Sequence, residues 1–289
     1  MVLSLAHLGP SGTNAETAAL AYADWLVKQK SQQALLCPYP TIAQTGQAVA
    51  EGKADLAVVP VENSTEGSVA VTLDLLWRYD RLQIQQELVL PITHALLSKC
   101  LSLSALKIIY SHPQALAQCQ QWLERNLPSV PLVASNSTAE AVRQVMQDPT
   151  AGAIAAPRNA KLYGVPILVA GIQDYLENCT RFWILGLTTT QTGDRLSLAF
   201  SVSANVPGSL VKPLQAFAKR GINLSRIESR PTKRSLGDYL FFVDLEGNMT
   251  QSSVQAALTE LASYTAILKI FGNYSLLPIS ATEIEASKT

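Results

Sequence analysis

The chain has 289 residues, 48% hydrophobic and 15% charged, which excludes a disordered chain and suits about two packed domains at ~150 residues each. Lys plus Arg and Asp plus Glu number 22 each, so the formal charge is zero and the basic footprint of a nucleic-acid binder is missing. No apolar run reaches the ~18 residues that span a bilayer, and the opening Met-Val-Leu-Ser-Leu-Ala-His has neither the basic region nor the apolar length of a signal peptide.

The apolar pattern predicts a strand at 2–8, a helix at 15–28, a strand at 34–38, a helix at 42–51 and a buried strand at 56–59. That order is a parallel sheet covered by helices. A similar order recurs: strand 107–110, helix 113–125, strand 132–134, helix 138–147, strand 153–156. Two α/β lobes with a cleft between them is the economical architecture. The Thr- and Gly-rich stretch 186–194 reads as a linker. Beyond it come strand 196–203, helix 209–220, strands 223–229 and 239–245, helix 254–261 and strand 266–274, the βαββαβ order of a ferredoxin-like domain. The expected division is a first domain at 1–190, with lobe one at about 1–78 and 172–190 and lobe two at about 79–171. A second domain follows at 195–277, then a tail at 278–289 that frays.

Thr13-x-x-Glu16, Thr41-x-x-Gln44, Ser111-x-x-Gln114 and Ser137-x-x-Glu140 fit the capping box, and Asn63-x-x-Glu66 is a close variant. Such junctions lie at the carboxyl ends of parallel strands, where helix N-termini offer free N–H groups to an anion. Each alone is more often structural than functional. The Gly9-Pro10-Ser11-Gly12-Thr13 turn is neither GxGxxG nor a phosphate loop, so nucleotide binding has little support. Residues 60–68 concentrate two carboxylates, an amide and three hydroxyls after a buried strand, where packing requires none of them. In Asn178-Cys179-Thr180-Arg181-Phe182, strand alternation puts Thr180 and Phe182 on one face and Arg181 on the other. Both Thr180 and Arg181 enter a cleft only if the segment is a loop or bulge.

Cys37, Cys100, Cys119 and Cys179 form no CxxC and read as reduced, mostly buried thiols of a cytosolic protein. His7, His94 and His112 are equally scattered, so a metal site has almost no support. His112 opens a helix, where packing is a better reading than general-base work. No GxSxG elbow is present, which removes a Ser/His/Asp triad.

Together, HLGPSGTNAE, ADLAVVPVENSTEGSV, YSHPQALAQC and NCTRFWIL resemble the prephenate dehydratases in order and spacing. PGSLVKPL, GINLSRIESRP and GDYLFFVDLEG resemble the regulatory ACT domain that ends those enzymes. The resemblance spans about 3–277 and lacks a chorismate mutase segment ahead of Gly9, as in the monofunctional form. It implies a periplasmic-binding-protein-like, two-lobed parallel-sheet catalytic domain plus an ACT domain. The implied reaction converts prephenate to phenylpyruvate in L-phenylalanine biosynthesis, with no metal or organic cofactor, in the cytoplasm. Arogenate dehydratase and a non-catalytic amino-acid or keto-acid sensor are the alternatives.

Carried over from the family, Thr180 donates to the leaving hydroxyl, Arg181 counters charge or holds the loop, and Phe182 walls the ring. Thr13, Glu62, Asn63 and Ser64 bind substrate. Asn14 stands where the family usually has an aromatic residue. For L-phenylalanine as effector, the resemblance implies Gly208, Ser209, Leu210, Asn223 and Leu224, with Glu228, Ser229 and Arg230 tying that site to neighbouring structure. Because segments of two subunits enclose the effector in the family, a homodimer or homotetramer is implied.

Overall fold

The computed structural model describes residues 2–202 and 204–277; Ser203 and the 278–289 tail lie outside the described residues. The first lobe runs β1 (Leu3–Leu8), α1 (Asn14–Lys30), β2 (Ala34–Tyr39), α2 (Ile42–Ala50), β3 (Leu56–Asn63), β4 (Gly67–Ser68), α3 (Ala70–Arg78) and β5 (Gln83–Pro91). The second runs β6 (Ala95–Ser98), β7 (Ile108–Ser111), α4 (Pro113–Ala117), α5 (Gln120–Asn126), β8 (Leu132–Ala134), α6 (Thr138–Gln147), β9 (Ala151–Ala155), α7 (Arg158–Tyr163) and β10 (Ile167–Ala170). The chain then returns to the first sheet as β11 (Cys179–Gly186).

The first sheet is ordered β2-β1-β3-β11-β5, with β4 beside β3, and the second β10-β6-β9-β7-β8. Strands β1, β2 and β3 are parallel, but β11 runs antiparallel to both β3 and β5. Strand β6 is likewise antiparallel to β9 and β10, so each expected parallel sheet is mixed. The expected change of lobe near 78 also shifts. The chain stays in the first sheet through Pro91 because β5 pairs along the whole of β11. The two crossings between lobes bond to each other, Ile92 N–H to Asn178 O at 2.8 Å and Ile172 N–H to His94 O at 3.1 Å.

The third sheet is built from β12 (Arg195–Val202), β13 (Leu224–Pro231), β14 (Tyr239–Glu246) and β15 (Thr265–Tyr274), with α8 (Val211–Ala218) and α9 (Ser252–Ala262). Its order β13-β14-β12-β15 is the ferredoxin-like arrangement that the element order predicts. Alternation along β12 sends Leu198 and Phe200 to Phe217, Val254 and Leu261 under the helices. Ala199 goes to the other face, where Leu240, Phe242, Phe271 and Tyr274 share one core with Trp183, Leu185, Leu75 and Leu76 of the first lobe. Each such fully buried large side chain contributes roughly 1.5–3 kcal/mol. Strand β15 lies so close to β5 that Gly272, at φ 149°, has no room for a side chain; a Cβ there would sit 2.5 Å from Ile84 O.

The predicted 113–125 helix is broken at Gln118–Cys119. Asp174, from the return crossing, accepts from Gln121 N–H (2.9 Å) and Trp122 N–H (3.0 Å), starting α5 afresh. Three predicted caps form, with Thr13, Thr41 and Ser137 accepting from Glu16, Gln44 and Glu140 N–H groups. Two do not. Ser111 turns inward to Ile154 O at 2.7 Å, leaving His112 as the cap, and Asn63 closes a turn that leads into β4 rather than a helix. All four cysteines are free, but only Cys119 is buried, its thiol pushed up to about 12 by burial and by the charge of Asp174.

Candidate active site

Between the lobes lies a cleft of about 740 Å³, lined by residues of both, including Thr13, Asn14, Asn63, His94, His112, Gln118, Ser137, Arg143, Thr180 and Phe182. The ends of β1, β3 and β11 form one wall and the N-termini of α4 and α6 the other. Among the described lining residues Arg143 is the one Arg or Lys, so the cleft offers an anion mostly neutral donors.

Thr180 is nearly buried at 8% exposure, and its Oγ1 accepts from Asn63 Nδ2 at 2.9 Å. The Asn63 amide also donates to Asn178 Oδ1 (2.8 Å) and Cys179 O (3.1 Å). Its oxygen accepts from Thr65 Oγ1 and N–H and from Glu66 N–H, which fixes which end is which. Asn178 Nδ2 donates to Gln118 Oε1 at 3.1 Å, and His94 Nε2 meets the same oxygen at 2.8 Å. Because the Gln118 amide nitrogen faces Thr65 Oγ1 and Glu66 Oε1, its oxygen must face His94, so His94 Nε2 carries the hydrogen. Burial holds the imidazole below its ordinary value despite the Gln118 bond, which keeps the ring neutral at pH 7. Apart from the Glu66 carboxylate, 3.4 Å from the Gln118 amide nitrogen, the hydrogen-bonded chain on this side of the strand is polar and uncharged.

The other side is charged. Arg181 reaches Glu87 at 2.6 Å, Glu62 at 2.7 Å and Asp244 of the ferredoxin-like domain at 3.1 Å. Burial alone would weaken the guanidinium's hold on its proton, but Asp244 and Glu87 raise its pKa further above an already high value. The bulge at Arg181–Phe182 does not bring Arg181 round to the cleft. Arg181 and Glu62 are therefore corrected: both face the domain interface, because alternation places them opposite Thr180 and Asn63. Ser64 is corrected too, since its Oγ accepts from Cys179 N–H (3.0 Å) and donates to Asn178 Oδ1 (3.4 Å), clamping the strand entry. Thr13 lines the cleft with its hydroxyl committed to Leu8 O and Glu16 N–H. Phe182, 1% exposed, forms part of the cleft wall.

The first loop is latched to the second lobe. Arg158 pairs with Glu16 at 2.7 Å, Asn159 Nδ2 donates to Gly12 O at 3.0 Å, and Tyr163 OH donates to Ser11 O at 2.9 Å. Gly12, at φ 94°, lies against Asn159 and has no room for a Cβ. Gln118, Asn178, His94 and Arg143 were not among the predicted site residues. Gln118 and Asn178 lay in quoted motifs, but only long-range folding brings Gln118, His94 and Arg143 to the cleft and joins Asn178 to Gln118.

In the ferredoxin-like domain, Gly208 (φ 81°) and Ser209 lead through Leu210 into α8, while Asn223 and Leu224 open β13. Leu210 and Leu224 pack on one core. Glu228 pairs with Arg226 (2.7 Å) and Arg230 with Asp74 of α3 (3.3 Å), with Ser229 exposed between them.

Residues 5–190 match the family model for prephenate dehydratase and residues 197–263 that for the ACT domain. The prephenate dehydratase of Lactococcus lactis subsp. cremoris is 38% identical over 282 residues, covering 95% of this chain and 98% of the relative. A crystal structure of prephenate dehydratase from Arthrobacter aurescens in complex with L-phenylalanine superposes with a TM-score of 0.80 at 32% identity, covering 97% of this chain and 91% of that one. GqqA, described as a novel type of quorum quenching acylase, shares the fold at 30% identity and a TM-score of 0.77, covering 95% of this chain and 98% of its own. Fold and sequence thus define a two-lobed lyase domain with an ACT domain packed on its back. The chain belongs to the prephenate dehydratase family and is a carbon–oxygen lyase that converts prephenate to phenylpyruvate.

Proposed function

We propose that prephenate binds in this cleft with its ring against Phe182 and its ring hydroxyl on Thr180. The observation that carries this reading is the bond from Asn63 to Thr180 Oγ1. It occupies the acceptor side of the hydroxyl and leaves the Thr180 proton for a group in the cleft. As the ring C–O bond breaks, negative charge grows on the departing oxygen, so the bond from Thr180 strengthens toward the transition state. The ring carboxylate leaves as carbon dioxide, its electron pair enters the ring, and the ring becomes aromatic. A threonine is too weak an acid to give up a proton outright. It relays one to the hydroxide and recovers one from water, so each turnover consumes one proton and yields phenylpyruvate, carbon dioxide and water.

Arg143 and the free N–H groups at the start of α6 and α1 suit the side-chain carboxylate. The ring carboxylate then rests on the uncharged wall, where its charge is not over-stabilised before it is lost. Phenylalanine acts as effector at Gly208, Ser209, Leu210, Asn223 and Leu224, a reading supported by the L-phenylalanine complex of the Arthrobacter relative. A shared effector site requires a dimer or tetramer. A cytoplasmic location fits the free thiols and the lack of any described helix long and apolar enough to cross a membrane.

The test supplies purified protein with prephenate and arogenate separately, quantifies phenylpyruvate and phenylalanine, and repeats both with added L-phenylalanine. Phenylpyruvate from prephenate, suppressed by phenylalanine, is expected. Phenylalanine from arogenate alone would reassign the chain to arogenate dehydration, and no product from either would leave a keto-acid sensor.

A further inference from the structure

Strands β3 and β11 are cross-linked on both faces at adjacent positions. Thr180 lies opposite Asn63 and Arg181 opposite Glu62. On the cleft face the link is the 2.9 Å bond between Asn63 and Thr180, and on the other it is the 2.7 Å ion pair of Arg181 with Glu62. The second guanidinium nitrogen of Arg181 is shared by Glu87 and by Asp244, a side chain of the ACT domain. Asp244 is itself fixed, since its Oδ1 accepts from the Ser197 hydroxyl at 2.6 Å and Arg226 lies 3.5 Å from its Oδ2. Arg226 also donates to Ser68 Oγ at 2.9 Å, and Ser68 pairs with Glu62 in the β3–β4 hairpin. The ACT domain therefore grips both strands that hold Asn63 against Thr180, from behind.

We propose that Asp244 is a positioning residue for the elimination, acting through Arg181 on Thr180, and that phenylalanine controls turnover through this carboxylate. The second half rests on the phenylalanine reading given above. A pleated strand cannot shift one side chain's anchor without moving the next, so displacement of Arg181 displaces the Thr180 hydroxyl. A misplacement of ~1 Å at a reacting group costs up to ~100-fold in rate. On the effector side the path is short. Arg226 follows Asn223 and Leu224 on β13 and lies opposite Asp244 on β14. A change at the start of β13 thus reaches the Asp244 carboxylate through one pair of neighbouring strands.

Asp244→Asn keeps the size and removes the charge. The expected result is a kcat at least ~10-fold lower with KM within ~2-fold, because the substrate still meets the same cleft. Phenylalanine is expected to bind D244N in calorimetry yet change its remaining turnover by less than ~2-fold. Linkage is reciprocal, so a substrate analogue that alters phenylalanine affinity in the wild type should leave it unchanged in D244N. Asp80→Asn is the control. It weakens another contact between the domains, the 2.8 Å pair with Lys269, away from β11, and should retain both kcat and inhibition. Wild-type kcat with full phenylalanine inhibition in D244N would overturn the proposal, as would an equal loss in D80N. If D244N does not fold, Arg181→Lys carries the same expectations and the same overturning result. Absence of phenylalanine binding to the wild type would remove the effector reading and leave the kcat comparison to decide the positioning role.

Discussion

The two faces of β11 are built from opposite chemistry. Toward the cleft stand a hydroxyl and amides, with Asn63, Asn178, Gln118 and a neutral His94 in one hydrogen-bonded chain. Toward the ACT domain stand Arg181, Glu62, Glu87 and Asp244 within 3.1 Å of one guanidinium. A dianion that must lose one charge as a neutral gas is served by a polar but uncharged bed, since fixed cations would hold the departing carboxylate back. Fixed charge is useful where nothing is to leave, and there it locks the strand.

That contrast can be broken from either side. The largest effect is expected on the charged face. Arg181→Met strands Glu87 and Asp244 without their shared cation and should lower unfolding free energy by about 3–5 kcal/mol in urea titration. On the neutral face Thr180→Ala should leave the urea midpoint close to wild type while lowering turnover at least ~100-fold. Near-normal turnover would take Thr180 out of the mechanism. Arg143→Ala probes the cation at the cleft rim and should raise KM about 10-fold with kcat little changed, read in steady-state kinetics.

The smallest effect concerns the latch. Burial would raise the Glu16 carboxyl, but the Gly12 N–H, the Ser11 hydroxyl and Arg158 together hold it below its ordinary 4.5. A carboxyl lowered by folding stabilises the native state above its unfolded value and loses that contribution as pH falls through the folded one. Wild type should therefore exceed Glu16→Gln by about 1 kcal/mol at pH 7 in urea titration, with the gap closing below pH 4.5.

Much of this arrangement was legible in the chain. Periodicity gave β1 to β3 with their helices and the whole βαββαβ domain, because those elements alternate cleanly and are bounded by caps. The region from 64 to 103 was opaque, since β5 depends on the late return of β11, and β6 on the later strands β9 and β10, rather than on local pattern. The break at Gln118 was hidden for a similar reason, because Asp174 that restarts the helix is far along the chain. Alternation correctly turned Arg181 away from Thr180. What it met there was invisible, since the contact belongs to another domain. Glu62 was misread because a carboxylate beside Asn63 looks like a ligand until the pleat is drawn.

The core shared by Trp183, Leu75 and Leu76 with Phe242, Phe271 and Tyr274 has a practical corollary. Cutting the chain after residue 190 would leave a wide oily flank bare, and the shortened product should clump rather than work as a free-standing catalyst. Feedback-resistant versions are better sought by point substitution than by trimming.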